Sequence, residues 1–143
     1  MSTLTKTSLV MKIVFDTNVL IAAFISHGVC SELFEHCIRC HKIIASKFIL
    51  TEFSDKLISK FKFSKYEVSK ATQLLLSRIV IMTPLNLERT VCRDPKDNFI
   101  LGTALKGKCR CIISGNKDLL ILKKYKGIDI ISPQNFWNYE ERA

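Results

Sequence analysis

Between residues 12 and 131 short β-branched runs alternate with longer segments of helical spacing, and this alternation constrains the fold more than any other feature. Lys12–Phe15, Lys42–Ala45, Cys111–Ile113 and Ile128–Ile131 are too short for helices and rich in isoleucine and valine, so they read as strands. Arg78–Thr83 is a fifth apolar run, closed by Pro84; it reads as a strand or as a helix tail merging into one. Helical patterns fill the gaps. Asn18–Ile25 and Cys30–Arg39 are helices by pattern, broken at His27-Gly28. Ser46 can cap a helix whose inward face is Ile49, Leu50, Phe53, Leu57 and Phe61, and Ser64 can cap another from Lys65 to about Ser77, with Val68, Leu74, Leu75 and Ile79 inward. Asp94-Pro95-Lys96-Asp97 is a start signal, with Asp94 as N-cap, Pro95 in the first helical position and Asp97 in the capping-box position. Ile100, Leu101, Ala104 and Leu105 then share a face, and Gly107 ends that helix. Lys117–Lys124 reads as a short helix, and Ser132-Pro133 opens a closing helix that carries Phe136 and Trp137.

Strands alternating with helices imply βαβ crossovers and a parallel sheet covered on both faces. The expected architecture is a three-layer α/β/α sandwich around a central, mainly parallel sheet. A chain of 143 residues suits one domain, placed here at residues 11–140. The polar stretch before Met11 is expected to be a disordered leader over residues 1–10.

The net charge of +9 favours a polyanionic partner such as nucleic acid. With no stretch of bilayer-spanning length, no membrane role is expected. Six cysteines and no secretory signal point to reduced thiols in the cytoplasm. Cys37, Cys40, Cys109 and Cys111 are spaced so that a zinc site competes with simple burial of the thiols. Buried cysteines packing as small apolar residues are the default. Cys37-Ile38-Arg39-Cys40-His41 also spells a haem-attachment pattern, without the export signal that chemistry needs.

Acids recur at the ends of elements: Asp16, Glu52, Asp94, Asp97 and Asp118. Each has a local explanation as a helix cap, a first-turn acid or an exposed helix residue. Their joint placement says more. Asp16 follows the first strand, Glu52 lies in the helix after the second, Asp97 opens the helix before Cys111–Ile113, and Asn116 and Asp118 follow that strand. In open α/β sheets the carboxyl ends of the strands form the ligand crevice. Carboxylates gathered there cannot all stay ionised without a cation, and all-oxygen ligation favours Mg²⁺ or Mn²⁺ over zinc.

Four segments carry a resemblance: Val14-Phe15-Asp16-Thr17-Asn18-Val19-Leu20, Leu50-Thr51-Glu52-Phe53, the run from Asp94 to Ala104, and Ile112-Ile113-Ser114-Gly115-Asn116-Lys117-Asp118-Leu119-Leu120. In this order and spacing, together with Ile130-Ile131-Ser132-Pro133, they resemble PIN-domain proteins, and among those the VapC ribonuclease toxins of toxin–antitoxin pairs. The resemblance runs from Met11 to about Trp137. It implies metal-binding, catalytic acids at Asp16, Glu52 and Asp97, with Asp94, Asn116 and Asp118 as further candidate ligands. Thr17, Asn18, Ser114 and Asn116 would bind substrate or orient the ligands by hydrogen bonds. The family's fourth acid position falls on Asn116, an amide, which lowers the local negative charge and bears on whether a second metal binds.

The activity so implied is Mg²⁺- or Mn²⁺-dependent hydrolysis of RNA phosphodiester bonds, leaving 5′-phosphate and 3′-hydroxyl ends. The implied partners are RNA, an antitoxin protein and a second copy of the chain. A non-catalytic PIN-like adaptor for nucleic acid or protein is the alternative. Asp16-Thr17-Asn18-Val19 is also similar to the opening of haloacid-dehalogenase-type phosphatases, but that chemistry needs an acid where Asn18 stands. RNA approach would draw on basic groups at Lys56, Lys60, Lys62 and Lys65, at Lys106, Lys108 and Arg110, and at Lys117, Lys123, Lys124 and Lys126.

Overall fold

The computed structural model describes residues 9–143. Most of the expected leader therefore lies outside the described residues; Leu9 and Val10 are exposed. Five strands run parallel: β1 (Lys12–Phe15), β2 (Lys42–Ala45), β3 (Ile79–Ile81), β4 (Cys111–Ile113) and β6 (Ile128–Ile131). A two-residue strand, β5 (Lys124–Tyr125), pairs antiparallel with β6. The order across the sheet is β3-β2-β1-β4-β6-β5. Ile13, Val14 and Phe15 of the central strand are all at most 1% exposed. This is the burial expected of a parallel sheet covered on both faces, and the α/β/α sandwich read from the sequence is the fold observed.

Chain order reverses direction at β1. From β1 the chain steps outward through β2 to β3, then returns to place β4 on the other side. The crevice between the carboxyl ends of β1 and β4 is therefore the topological switch point, where ligands of such sheets bind. The helices are α1 (Thr17–Ile25), α2 (Val29–Cys40), α3 (Lys47–Ser59), α4 (Lys65–Leu76), α5 (Pro95–Lys106), α6 (Lys117–Leu120) and α7 (Phe136–Arg142), the last preceded by a 3₁₀ turn at Pro133–Asn135. Phe24 of α1 bridges Phe34 of α2 and Phe53 of α3, with ring centroids 5.7 and 5.3 Å away, which fixes the helices that follow β1 and β2. No single helix among the described residues is long and apolar enough to cross a membrane.

Three local expectations are corrected. The helix expected over Lys117–Lys124 stops at Leu120. Lys123, Lys126 and Gly127 adopt left-handed backbone, with φ of 61°, 48° and 85°, and these turns convert the segment into the β5–β6 hairpin, since successive helical residues cannot visit that region. Phe61 lies past the end of α3 and is 40% exposed. Leu74 is 50% exposed while Leu75 is fully buried, because Val68 and Leu75 are seven apart on one helical stripe and Leu74 falls beside it. The segment Arg78–Thr83 resolves into a strand, shortened to Ile79–Ile81.

One glycine governs the placement of α5. A Cβ at Gly102 would lie 2.3 Å from the Leu85 carbonyl oxygen, and the Leu85 N–H donates to the Gly102 carbonyl at 3.0 Å. The segment after β3 thus lies directly against the α5 backbone, a closeness only glycine permits.

Candidate active site

Asp16 is the first residue beyond β1. Its N–H donates to the Ile113 carbonyl at 2.9 Å, which ties it to β4 at the switch point. Its Oδ1 caps α1 by accepting the Asn18 N–H at 3.2 Å, and its Oδ2 accepts the Ser114 hydroxyl at 2.6 Å. Ser114, fully buried at the end of β4, in turn accepts the Asn116 N–H at 2.9 Å. The N-cap role read from sequence is present, and the carboxylate still borders the crevice. Burial raises the Asp16 pKa above its ordinary value; the Ser114 and Asn18 hydrogen bonds oppose that rise, and the nearby Glu52 charge adds to it.

Asp97 sits in the first turn of α5 and is 5% exposed. Its expected capping-box contact is not made. Asp94 alone caps the helix, accepting the Lys96 N–H at 2.9 Å. Asp97 instead turns inward, where Oδ1 accepts Asn116 Nδ2 at 3.0 Å and Oδ2 is buried with no hydrogen-bond partner among the described residues. Burial pushes its pKa up to about 6, reinforced by the charges of Asp94, Asp16 and Asp118 and opposed by the Asn116 bond. Glu52, one turn into α3, completes the cluster with a side chain that is 13% exposed. Asp16, Asn18, Glu52, Lys56, Asp94, Lys96, Asp97, Ile100 and Asn116 line one cavity of about 110 Å³.

The structure also separates residues that the sequence groups together. Asn116 does not offer its carbonyl to the cavity: Oδ1 caps α6 by accepting the Asp118 N–H at 2.8 Å, and the amide acts on Asp97 as a donor. Asp118 does not line the cavity, and its two oxygens are held by Arg93 at 3.1 Å each. The Thr17 hydroxyl is buried with no hydrogen-bond partner among the described residues, so it orients no carboxylate there. Asn18 is oriented by Lys56, which donates to its Oδ1 at 3.0 Å. Among the basic groups, Lys56 borders the cavity. Lys106, Lys108 and Arg110 sit at the opposite end of the sheet, where the Arg110 N–H bonds the carbonyl of Lys12, the first residue of β1. Lys96 is not singled out by the sequence, although its position as the second residue of α5, where the helix dipole disfavours a cation, is a signal of sorts.

Two other clusters contain metal-ligating residue types. The four cysteines form no three-ligand group among the described residues. Cys37, Cys109 and Cys111 are buried in the core, and burial raises their thiol pKa values, for Cys109 to about 12, so they pack as neutral apolar groups. His36, His41 and Glu140 do approach one another within 4.8 Å. The His41 Nδ1, however, accepts the Met11 N–H at 3.0 Å, so in the neutral ring the proton is on Nε2, which lies 2.6 Å from Glu140 Oε2. A metal at Nε2 would have to displace that proton. The cluster is a latch that ties α7 to the start of β2.

The family pattern described as the PIN domain matches residues 12–118, which is most of the chain and includes every acid of the cavity. The chain belongs to the PIN-domain family. Two solved structures share the PIN fold seen here. A chain of VapBC2 from Rickettsia felis, in a crystal structure bound to a DNA fragment from the promoter, matches with a TM-score of 0.61 and 16% identity, covering 85% of this chain and 98% of that one. A chain of VapBC-1 from nontypeable Haemophilus influenzae, solved at 2.2 Å, matches with a TM-score of 0.60 and 17% identity, covering 87% and 99%. No curated protein matches the chain.

Proposed function

We propose that this PIN-domain protein is a divalent-metal-dependent endoribonuclease and the toxin of a toxin–antitoxin pair. The observation that carries the reading is the state of Asp97. A carboxylate oxygen buried without a hydrogen bond, on an acid whose pKa is pushed up to about 6 by burial and by neighbouring acids, is a site short of positive charge. The donors around it are all oxygens, from Asp16, Glu52 and Asp97, and this suits Mg²⁺ or Mn²⁺. Asp94 also borders the cavity. When bound, such an ion supplies activation of a water nucleophile and neutralises charge that grows on the phosphate oxygens.

The chain's own residues do the rest. Ser114 and the Asn18 N–H fix the Asp16 carboxylate from behind, as partners that orient a ligand do. Asn116 holds Asp97 from one side so that its other oxygen is free. Lys56 and Lys96 at the cavity draw the polyanion towards the acids. The proposal includes an antitoxin protein as partner, as in the VapBC assemblies whose chains share this fold. It also includes a single nuclease domain over residues 11–140 that works as a homodimer in the cytoplasm.

The test is incubation of the purified protein with a mixed RNA pool in Mn²⁺ or Mg²⁺ against an EDTA control. Metal-dependent cleavage, leaving 5′-phosphate ends, is the expected result. RNA binding with no turnover in either metal would reject the nuclease and leave an adaptor.

A further inference from the structure

The acidic cavity carries its own cations, and they are distributed unevenly. Lys96 Nζ lies 3.2 Å from Glu52 Oε2, and Lys56 Nζ lies 3.7 Å from the same oxygen. No ion pair joins either lysine to Asp16 or Asp97 among the described residues. One carboxylate of the three therefore takes both ammonium groups. Lys56 is also held by Asn18 and its side chain is 25% exposed. Lys96 Nζ makes no hydrogen bond among the described residues beside its ion pair with Glu52, and its side chain is 57% exposed. It is the more exposed and less tethered member of the pair, on a flexible stem with three donors to place. Its backbone position at the positive end of α5 is unfavourable for a cation, so its ammonium is kept there by Glu52 of α3 and the acids beside it rather than by its own helix.

We propose that Lys96 is a positioning residue that holds Glu52 in place of the divalent ion and passes to an RNA phosphate when the ion enters. The inference rests on the nuclease reading above. A hard cation in the cavity competes with Lys96 for the Glu52 oxygens and repels the ammonium. The exposed side chain then has one new anion within its reach, the phosphate brought by the substrate. Withdrawing Lys96 towards phosphate in turn frees Glu52 for the ion. Metal and RNA therefore bind with positive coupling, and linkage makes the coupling reciprocal.

The experiment compares wild type, Lys96→Gln, Lys96→Arg and Lys42→Gln, the last removing an exposed lysine at the far end of the sheet. Mn²⁺ affinity is measured by calorimetry without RNA, and affinity for a fluorescent single-stranded RNA by anisotropy in Ca²⁺ and in EDTA. Removing a unit charge so close to the ion is expected to tighten Mn²⁺ binding by about tenfold in Lys96→Gln. The same variant should lose RNA affinity in Ca²⁺ by several-fold and show little change in EDTA. Lys96→Arg restores the charge and should behave as wild type in both assays, and so should Lys42→Gln. If wild type binds Mn²⁺ and Lys96→Gln binds it no more tightly, the inference is overturned while the nuclease reading stands. If wild type binds no Mn²⁺, both fall.

Discussion

The two ends of the sheet each hold a largely buried cluster that includes a carboxylate, and the two are in opposite electrostatic states. At the amino end, Glu140 Oε2 lies 2.7 Å from His36 Nε2 and 2.6 Å from His41 Nε2. Burial alone would raise its pKa, yet the two imidazole contacts hold it below its ordinary value. At the carboxyl end, burial raises the pKa of both Asp16 and Asp97, the Asp16 charge adds to the rise at Asp97, and one Asp97 oxygen has no hydrogen-bond partner among the described residues. A satisfied carboxylate stabilises the fold and needs nothing further. A frustrated one is the state expected of a binding site, and that contrast separates the latch from the proposed site.

Four measurements can break or sharpen the comparison. The largest effect is expected from Asp16→Asn, which should lower metal-dependent RNA cleavage by roughly 10³-fold or more, since the ion's charge stabilisation is worth several kcal/mol, while thermal unfolding in EDTA stays at or above the wild-type midpoint. Retained cleavage would remove Asp16 from the mechanism. Ser114→Ala follows, with an expected 10–100-fold loss of activity or metal affinity, read from a metal titration of the cleavage rate.

Stability should then move in opposite directions at the two ends. Asp97 has a folded pKa raised to about 6 from 3.8, so the folded protein binds this proton more tightly, and its contribution to stability falls as pH rises through that interval. Asp97→Asn is accordingly expected to stabilise the metal-free protein by about 1–2 kcal/mol at pH 7.5, with the gain vanishing as pH falls towards 3.8. Glu140→Gln is expected to destabilise by about 1–2 kcal/mol at neutral pH. Because the folded pKa of Glu140 is depressed below 4.5, its contribution is present above that value and is lost as pH falls through the folded one. Denaturant titrations at several pH values check both, and equal signs would end the distinction between the ends. The smallest effect belongs to Asp118→Asn. Its carboxylate is held by Arg93 outside the cavity, so cleavage should stay within about twofold of wild type, as for surface ion pairs.

Much of this was legible in the sequence, for identifiable reasons. β1, β2 and β4 coincide with the apolar runs because strand residues buried on both faces must be apolar, and β6 was legible from its three isoleucines although Asp129 leaves it only half-buried. Asp16, Glu52 and Asp97 meet at one cavity because each stands just past, or just before, the same end of the sheet. The misses are tertiary. Two-residue β5 has too little pattern to read, and its turns are made by lysines in left-handed backbone, where glycine or asparagine would have been a signal. The Arg93 clasp on Asp118 spans 25 residues and the Lys96 contact to Glu52 crosses between helices. The composition around each residue says nothing of its partner. The resemblance implies an acid position at Asn116, yet only the structure shows this amide to be a donor to Asp97 and a cap on α6.

The backbone contact at Gly102 has a genetic consequence. Since any side chain there must push the Leu85 segment away from the helix that carries Asp97, a blind search for alleles that silence this protein should return changes at residue 102 alongside changes at the acids, although no atom of that glycine faces the crevice.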